Sequence, residues 1–586
     1  MRKSQQPQVN VSLRIAIVMA FLLCFFFVVV VRAFSMQVQS SDFYQSQADI
    51  RHVREVEIPV SRGAIYDRNE EPLALSSPME SVGINPTKLL NQFSKVDQLA
   101  EVLDLNADKL KQIITSHKEK HFLYVKRRIT PSVADSVRAL DVDGVTFRTE
   151  FKRFYPTGEI SSHIVGFTNV DDKGIEGIER VYNSLLTGTD GTKRYRKDAK
   201  GRKIEILAEE KSKEPQDLTL SIDQRIQAIA YRELKGAVQA FKATSGSVVV
   251  TNIHTGEILA LVNSPSYNPN NRRNTAMHRF RNRAITDVYE PGSTMKPLTV
   301  LTALEFGSAK SKDIINTSPG WMRLGGRRVS DPINRGNLSL EEILVHSSNM
   351  GTAKLALSVP KNYLLDKFFE AGFASDTGTG LIGESTGMMP DRHRWSKFEL
   401  ATLSFGYGLA ITPLQLARFY TTLANGGMKR PLTIVKQDNV RSDYAIEERV
   451  YSAEYSQDIV EMLEAVVDKH TPRAKVEGYR VSGKTGTSRK SIAGGYGNDY
   501  VGLFAGIAPV SAPELAVVVV INEPGGDLYH GGEVAAPVFS RVMKGALRVL
   551  NVAPDAESVA SHTLKSNDKQ LTKPAKQKKE KGRDHV

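Results

Sequence analysis

A single run of apolar residues near the N-terminus constrains the architecture of this chain most strongly. Residues 15–31 read IAIVMAFLLCFFFVVVV without a charge, and Arg14 and Arg32 bracket them. At about 1.5 Å per residue, a helix of this run is close to the shortest that crosses a bilayer, and residues 33–34 can lengthen it. The run therefore predicts a transmembrane anchor over residues 14–34.

A cleaved signal peptide is the competing interpretation of this run. Its apolar region usually ends at a small-residue cleavage site, whereas here Arg32 follows the run directly. We therefore expect an uncleaved anchor. Arg2, Lys3 and Arg14 precede the run, so the positive-inside rule places residues 1–13 in the cytoplasm as a short tail. No second run of this kind follows, which predicts a single-pass protein whose remaining domains lie outside.

Composition and charge exclude several classes of protein. With 586 residues, 41% hydrophobic and 24% charged, the chain has an ordinary globular composition and is too long for one core. Part of the net charge of +13 lies in residues 553–586, which predict a basic, disordered tail. No basic motif interleaved with aromatic residues indicates nucleic-acid binding. Cys24, the only cysteine, lies in the apolar run, so no intramolecular disulfide or cysteine zinc site is expected.

The remaining chain divides into two zones. Residues 51–215 mix short β-rich runs with charged helical stretches. In residues 216–552 the pattern predicts an α+β domain, because distant strands must complete one sheet with helices packed against it. The expected elements are a helix at 222–241, strands at 247–252 and 258–263, a mostly helical middle at 297–470, strands at 480–487, 500–507 and 515–521, and a closing helix at 536–550.

The first motif that can carry chemistry is STMK at residues 293–296. Pro297 suits the first turn of a helix, which we expect to run to Gly307. Ser293 would then lie at the helix N-terminus, with Lys296 on the same face. A desolvated Lys296 can lose its proton and act as a base toward the Ser293 hydroxyl. On its own, S-x-x-K is frequent in helices.

Two further polar motifs follow. Ser347-Ser348-Asn349 lies between two expected short helices, where Ser347 and Asn349 can project into a cleft, although alone it is an ordinary polar turn. Lys484-Thr485-Gly486-Thr487 lies on an expected strand, where a glycine lets a substrate backbone approach, Lys484 offers positive charge and the threonines offer hydroxyls.

Residues 478–485 also match the phosphate-loop pattern G-x-x-x-x-G-K-[ST]. That pattern is meaningful only when a strand precedes it and a helix follows, and residues 486–495 form a poor helix. We therefore do not expect nucleotide binding.

The ordered set S-x-x-K, S-x-N and K-T-G is typical of penicillin-binding proteins and class A β-lactamases. With residues 62–68 (RGAIYDR), 153–156 (RFYP) and 174–179 (GIEGIE) in the first zone, the chain resembles the class B penicillin-binding proteins over nearly its whole length. Residues 405–408 (FGYG) and 412–417 (TPLQLA) resemble the division-specific members of that class.

The resemblance implies an architecture and a location. A transmembrane helix is followed by an elongated mixed α/β pedestal at 51–215 and a penicillin-binding transpeptidase domain at 216–552, with an antiparallel sheet flanked by helices. It implies a protein of the cell inner membrane with its catalytic domain in the periplasm. The implied partners are peptidoglycan stem peptides, β-lactam antibiotics, an FtsW-type glycan polymerase and other divisome membrane proteins. No metal or organic cofactor is implied.

The resemblance also implies roles for the motif residues. Ser293 would attack the penultimate D-Ala carbonyl of a stem peptide, Lys296 would take its proton, and Ser347 would relay a proton. Asn349 would hold the peptide amide, and Lys484 and Thr487 would bind the terminal carboxylate.

Three alternatives remain open at this point. An elongation-specific class B transpeptidase shares all three motifs, and a D,D-carboxypeptidase would use water in place of an amine. A non-catalytic scaffold or β-lactam sensor is the alternative from another class of protein.

Overall fold

The computed structural model describes residues 11–198, 202–390, 392, 394–437, 448–492 and 494–556. Helix α1 (Val11–Phe34) continues through a π-helical turn (Ser35–Gln39) to α2 (Ser41–His52). The helix is exposed along its length and is long and apolar enough to cross a membrane, which fits the predicted single-pass anchor. Of the expected cytoplasmic tail, residues 1–10 lie outside the described part.

The zone after the anchor is a mixed α/β unit. A five-stranded sheet runs in the order β10-β2-β3-β4 with β5 also paired to β3, and a separate antiparallel sheet has the order β1-β8-β9. The strands are β1 (Val53–Ile58), β2 (Ile65–Tyr66), β3 (Pro72–Ile84), β4 (Leu123–Ile129), β5 (Val145–Phe154), β6 (Phe167–Thr168), β7 (Gly174–Glu176), β8 (Gly191–Lys197), β9 (Lys203–Glu210) and β10 (Leu218–Thr219), and the helices are α3 (Pro86–Leu89), α4 (Phe93–Val102), α5 (Ala107–Ser116), α6 (Pro131–Ala139), α7 (Ser162–Val165), α8 (Gly177–Val181) and α9 (Asn183–Leu186).

A buried ion-pair network ties this first unit together. Glu179 accepts from Arg62 Nε at 2.6 Å and from Arg153 Nε at 2.7 Å, and all three side chains are almost fully buried. The three residues belong to the three sequence signatures RGAIYDR, RFYP and GIEGIE. Removing Glu179 would leave two buried guanidinium groups without their anion, so these signatures have a structural role in the unit.

The second unit begins with helix α10 and closes with helix α20. Its helices are α10 (Gln224–Ala240), α11 (Arg283–Thr286), α12 (Lys296–Phe306), α13 (Leu340–Val345), α14 (Asn349–Leu357), α15 (Lys361–Glu370), α16 (Lys397–Ser404), α17 (Pro413–Ala424), α18 (Ala453–Lys469), α19 (Gly531–Val534) and α20 (Ala536–Val549), and its strands are β11 (Ser245–Asn252), β12 (Ile258–Ser264), β13 (Ile314–Asn316), β14 (Trp321–Leu324), β15 (Arg327–Ser330), β16 (Asn337–Ser339), β17 (Met428–Lys429), β18 (Glu448–Arg449), β19 (Ser482–Ile492), β20 (Gly495–Ala508) and β21 (Leu515–Asn522).

One antiparallel sheet, in the order β12-β11-β21-β20-β19, forms the centre of this unit. Successive side chains of a strand point to opposite faces, and β11 and β21 are buried on both. Val248 and Val250 join a core with Leu234 of α10 and Phe539 of α20. Val249 joins the other core, which includes Leu298 of α12. Helices therefore cover both faces, and the predicted α+β sheet is confirmed.

The expected elements of this unit are confirmed within a few residues, including the split of one sheet between both ends of the domain. The sequence did not reveal the short hairpins β13–β16 within the helical middle. The expected tail at 553–586 is described only to residue 556. The described part of this tail contacts the domain: Asp555 Oδ1 accepts from Arg480 N at 2.7 Å, and Ala556 N donates to the Gly478 carbonyl at 3.2 Å. Residues 553–556 therefore pack on the domain. Residues 557–586 lie outside the described part.

Direct contacts join the two units beside the sheet. Asp67, which is fully buried, accepts from Gln224 N at 3.0 Å, and Asn69 Nδ2 donates to both Asp67 and Asp223 at 3.2 Å. Tyr155 N donates to Asn270 Oδ1 at 3.0 Å. The first unit thus supports the end of the domain where α10 begins.

Candidate active site

Ser293 lies in a tight turn rather than in the helix that follows it. Residues Gly292–Met295 form a 3-10 turn, and α12 begins at Lys296 with Pro297 in its first turn. The expected end at Gly307 is confirmed, since this residue has φ 78°. Ser293 therefore lies at the N-terminal end of the helix, as predicted, but in a 3-10 turn that tightens the chain before the α-helix begins.

A chain of hydrogen bonds joins the first two motifs. Ser347 Oγ donates to Ser293 Oγ at 2.9 Å. Lys296 Nζ donates to Ser347 Oγ and Asn349 Oδ1, each at 2.9 Å, and also to the Ser347 carbonyl. Among the described residues, Lys296 is therefore connected to Ser293 by two hydrogen bonds through the Ser347 hydroxyl. The direct hydrogen bond that the helix spacing predicted is not formed between them.

Local capping fixes the loop that carries Ser347. Ser339 and Glu342 form a capping box at the start of α13, and Ser348 accepts from Gly351 N at 2.9 Å to begin α14. Between the two helices Ser347 has φ 55°, a left-handed conformation that costs free energy in a residue with a side chain. The loop holds this conformation and turns the hydroxyl toward Ser293.

The third motif lies on β19, at the edge of the sheet. Lys484 is fully buried and donates to Ser347 Oγ at 3.2 Å. Thr485 and Thr487 alternate with it, and Thr487 Oγ1 accepts from Gly531 N at 3.0 Å, which leaves its own proton to donate. At Gly486, an added Cβ would lie 2.6 Å from the Pro291 carbonyl oxygen. Glycine thus lets β19 approach the turn that carries Ser293.

Burial changes the acid–base properties of the two lysines. It lowers the pKa of the Lys484 ammonium to about 7. The pKa of Lys296 lies well below its ordinary value, because burial removes water from the ammonium and the Lys484 charge repels it, while Asp331 opposes the shift. A neutral Lys296 beside a charged Lys484 is the arrangement that a base and a carboxylate-binding group require.

Sequence reasoning missed several residues that shape this site. Asp331 accepts from Ser348 Oγ and, at 3.0 Å, from Met350 N, so it holds the Ser347 loop. Gly406 has φ 85°, and an added Cβ would lie 2.1 Å from the Gly292 carbonyl oxygen. Tyr420 OH donates to Thr294 O at 3.0 Å. Of these residues, only Gly406 lies in a stretch with a recognisable sequence pattern, FGYG, and that pattern indicates the protein group without indicating the contact with Gly292.

The strand that carries the K-T-G motif does not form a phosphate loop. The residues that follow Lys484 continue as strand β19 instead of a helix, as the sequence indicated. Among the described residues, no group of three or more His, Cys, Asp or Glu side chains could hold a metal ion.

A buried lysine, a relay hydroxyl and a reachable serine at a sheet edge define a class of protein, the active-serine acyl-transfer enzymes. The penicillin binding protein transpeptidase domain matches residues 246–544, and the penicillin-binding protein dimerisation domain matches residues 57–220. Peptidoglycan D,D-transpeptidase FtsI of Escherichia coli (strain K12) is 41% identical over 94% of this chain and 95% of its own.

Two further relatives agree. The probable peptidoglycan D,D-transpeptidase PenA of Neisseria gonorrhoeae is 36% identical over 92% of this chain and 93% of its own. The transpeptidase domain of Burkholderia pseudomallei penicillin-binding protein 3 has a TM-score of 0.53 and 36% identity, covering 58% of this chain and 98% of that domain. This chain belongs to the class B penicillin-binding proteins and, among them, to the FtsI group of serine D,D-transpeptidases.

Proposed function

We propose that this protein cross-links peptidoglycan at the division septum through an acyl-enzyme on Ser293. The observation that carries the proposal is the set of hydrogen bonds that converge on the Ser347 hydroxyl from Lys296 and Lys484 and continue to Ser293. A serine without a base is a poor nucleophile, and this arrangement supplies a buried amine through one hydroxyl.

The acylation step follows from these contacts. Ser293 Oγ attacks the carbonyl of the penultimate D-Ala while its proton passes to Ser347 Oγ and the Ser347 proton passes to a neutral Lys296, so that both hydrogen bonds reverse their resting direction. The backbone N–H groups of Ser293 and Thr487 stabilise the oxyanion. The amide C–N bond then breaks, and the terminal D-Ala leaves after its amine receives the proton from Lys296 through Ser347. The result is an ester between Ser293 and the donor peptide.

The substrate-binding residues hold the donor on both sides of the serine. The hydroxyls of Thr485 and Thr487 bind the terminal carboxylate, and the charge of Lys484, which is buried on the other side of the strand, attracts it. Gly486 is filled on its open side by the Pro291 carbonyl, so it sets the distance between β19 and the serine turn, and the substrate backbone lies along the free edge of β19. Asn349, whose Oδ1 accepts from Lys296, donates its amide to the peptide. β-Lactams, which carry a carboxylate beside a strained amide, acylate the same serine.

Deacylation by an amine completes the cross-link. The acceptor amine attacks the ester, the bond to Ser293 breaks, an amide forms, and the amine proton returns to Ser293 through Ser347. Water as the acceptor would make the protein a D,D-carboxypeptidase, and the geometry around Ser293 suits both reactions.

The septal role rests on the comparisons rather than on the site. The elongation-specific enzymes share the three motifs, whereas several of the relatives that match this chain over more than nine-tenths of its length are named FtsI. A monofunctional cross-linker needs new glycan strands beside its cleft. We therefore propose an FtsW-type polymerase and other divisome membrane proteins as partners, with α1 and the first unit as docking surfaces.

The orientation and domain limits belong to the same proposal. Arg14 lies at the start of α1, after Arg2 and Lys3, so residues 1–13 face the cytoplasm and the catalytic domain faces the periplasm of the inner membrane. We place the pedestal at residues 51–215 and the transpeptidase domain at residues 216–552, so that β10 (Leu218–Thr219), at the start of the second domain, pairs with β2 of the first. A membrane-impermeant penicillin should therefore reach the enzyme from outside.

A product assay distinguishes these activities. The full-length protein in membranes, given glycan strands with pentapeptide stems, should produce cross-linked dimers together with free D-Ala. The Ser293→Ala variant should produce neither while keeping its fold. D-Ala release without dimers from the wild type would instead support the carboxypeptidase, and equal activity in both proteins would contradict the proposed nucleophile.

A further inference from the structure

A recess of about 430 Å³ lies on the side of β19 opposite the lysines. Thr485 and Thr487 line it, and since they alternate with Lys484 and Gly486 along the strand, they face away from the serine-bearing core. The other wall is the segment that follows α18, with Thr471 and Arg473 in its lining. The recess is therefore directly beside the two threonine hydroxyls that we propose bind the terminal carboxylate.

The recess contains a buried polar group that lacks a partner. Thr471 is only 3% exposed, and its hydroxyl has no hydrogen-bond partner among the described residues. Leaving a buried hydroxyl unsatisfied costs free energy, and such groups are rare in folded proteins. A polar ligand group in the recess would satisfy it.

The surroundings of His470 favour an anion: burial lowers the pKa of its imidazole, and the nearby positive charges of Lys484 and Arg335 lower it further. Arg473 and His470 lie on one wall, both at the surface, and His530 lies on the other. The one carboxylate in the lining, Glu533, accepts from His530 N at 3.2 Å and caps α19. Its charge is thus already engaged by backbone, whereas the guanidinium of Arg473 can bind a carboxylate.

The reaction itself brings a second substrate to this side of the strand. Acylation expels the amine of an α-amino acid whose carboxylate lies on the hydroxyls of Thr485 and Thr487. By microscopic reversibility, an entering amine attacks from the position of the leaving one, so an acceptor amine with an adjacent carboxylate uses the same contacts. An acceptor with a side chain larger than a methyl group needs further space beside Thr485 and Thr487.

We propose that this recess is the acceptor subsite, and that His470 and Arg473 determine specificity for acceptors with a further carboxylate. The inference rests on the proposed function, since it presupposes acyl transfer from Ser293. In the step itself the ester bond to Ser293 breaks, the acceptor nitrogen forms the amide, and its proton goes to the serine oxygen. The recess only binds and orients the amine.

Partition of the acyl-enzyme tests the proposal. The full-length protein is acylated by a thioester donor, and the ratio of amine transfer to hydrolysis is measured with D-glutamate, its neutral isostere D-glutamine, and D-alanine. The wild type should prefer D-glutamate to D-glutamine. In the His470→Ala/Arg473→Ala double variant that preference should fall about tenfold, while transfer to D-alanine stays within about twofold.

A second variant tests the space rather than the charge. An added Cβ at Gly532 would lie 3.5 Å from Thr485 and 3.8 Å from Thr471, so a side chain is tolerated there and projects into the recess. Gly532→Leu should reduce transfer to both long acceptors and spare D-alanine. Arg541→Ala, whose arginine pairs with Glu233 on the outer helices, is the matched control.

Penicillin acylation separates a failure of the acceptor subsite from a failure of the proposed function. Acylation by penicillin should be equal in all variants, and its absence in the wild type would refute acyl transfer itself. An unchanged preference for D-glutamate in the double variant would overturn the acceptor subsite. So would a parallel loss of penicillin acylation, which would assign the recess to the donor.

Discussion

At the scale of single residues, the site depends on two buried lysines whose pKa values both lie below the ordinary value. The predicted base, Lys296, and the predicted carboxylate-binding group, Lys484, both meet the Ser347 hydroxyl. Because both are buried, the fold disfavours two charges and lowers both pKa values. The three motifs predicted this pairing of residue types, and the family resemblance implied a relay through Ser347; neither indicated that both lysines meet its hydroxyl.

The pH dependence of acylation should report Lys484. Its ammonium is charged below a pKa of about 7 and neutral above it, so the second-order rate constant for benzylpenicillin should fall as pH rises through that range. On the acid side the rate should rise with pH as Lys296 loses its proton. In Lys484→Arg the guanidinium stays charged, and the alkaline fall should move beyond about pH 9. An alkaline limb that is unchanged in Lys484→Arg would contradict this assignment.

At the scale of elements, the catalytic geometry depends on the contact between β19 and the turn at residues 292–295. The sequence predicted a strand at the K-T-G motif and a helix after the serine. It did not predict how closely they pack, because distances between elements depend on residues far apart in the chain. Gly406 and Asp331 show the same limit, since each acts on a motif residue more than 15 positions away.

Replacing Gly486 should separate the strand from the serine turn. In Gly486→Ala the new Cβ would lie 2.6 Å from a backbone carbonyl that cannot rotate away, so β19 must shift. We expect penicillin acylation to slow by about tenfold or more, with a lower melting temperature. Gly236→Ala, in α10 with nothing within 4 Å of the new Cβ, should acylate normally. Normal acylation in Gly486→Ala would show that the approach is not needed.

At the scale of the whole molecule, a membrane helix, a pedestal and a catalytic domain follow one another along one chain. The membrane helix, the two zones and the closing strands could be predicted from the sequence, because each depends on a local pattern of residues. The junction at Asp67 and the buried network around Glu179 were not, because charged residues far apart in sequence meet there.

Depletion of the protein from growing cells tests its place in the cell cycle. If it serves the septum, division should stop while elongation continues, and cells should become long filaments. A Ser293→Ala copy should not restore division, although it keeps every surface available for partners. Cells that round up and still divide would place the protein in the elongation machinery instead.

The central claim is that Ser293 is the acylated nucleophile on the outer side of the membrane. Intact spheroplasts should be treated with a membrane-impermeant penicillin, and the purified protein digested and analysed by mass spectrometry. We predict one penicilloyl group, on the peptide that contains Ser293, and none on the Ser293→Ala variant. An acyl group on another residue, or labelling only after the membrane is permeabilised, would contradict the account.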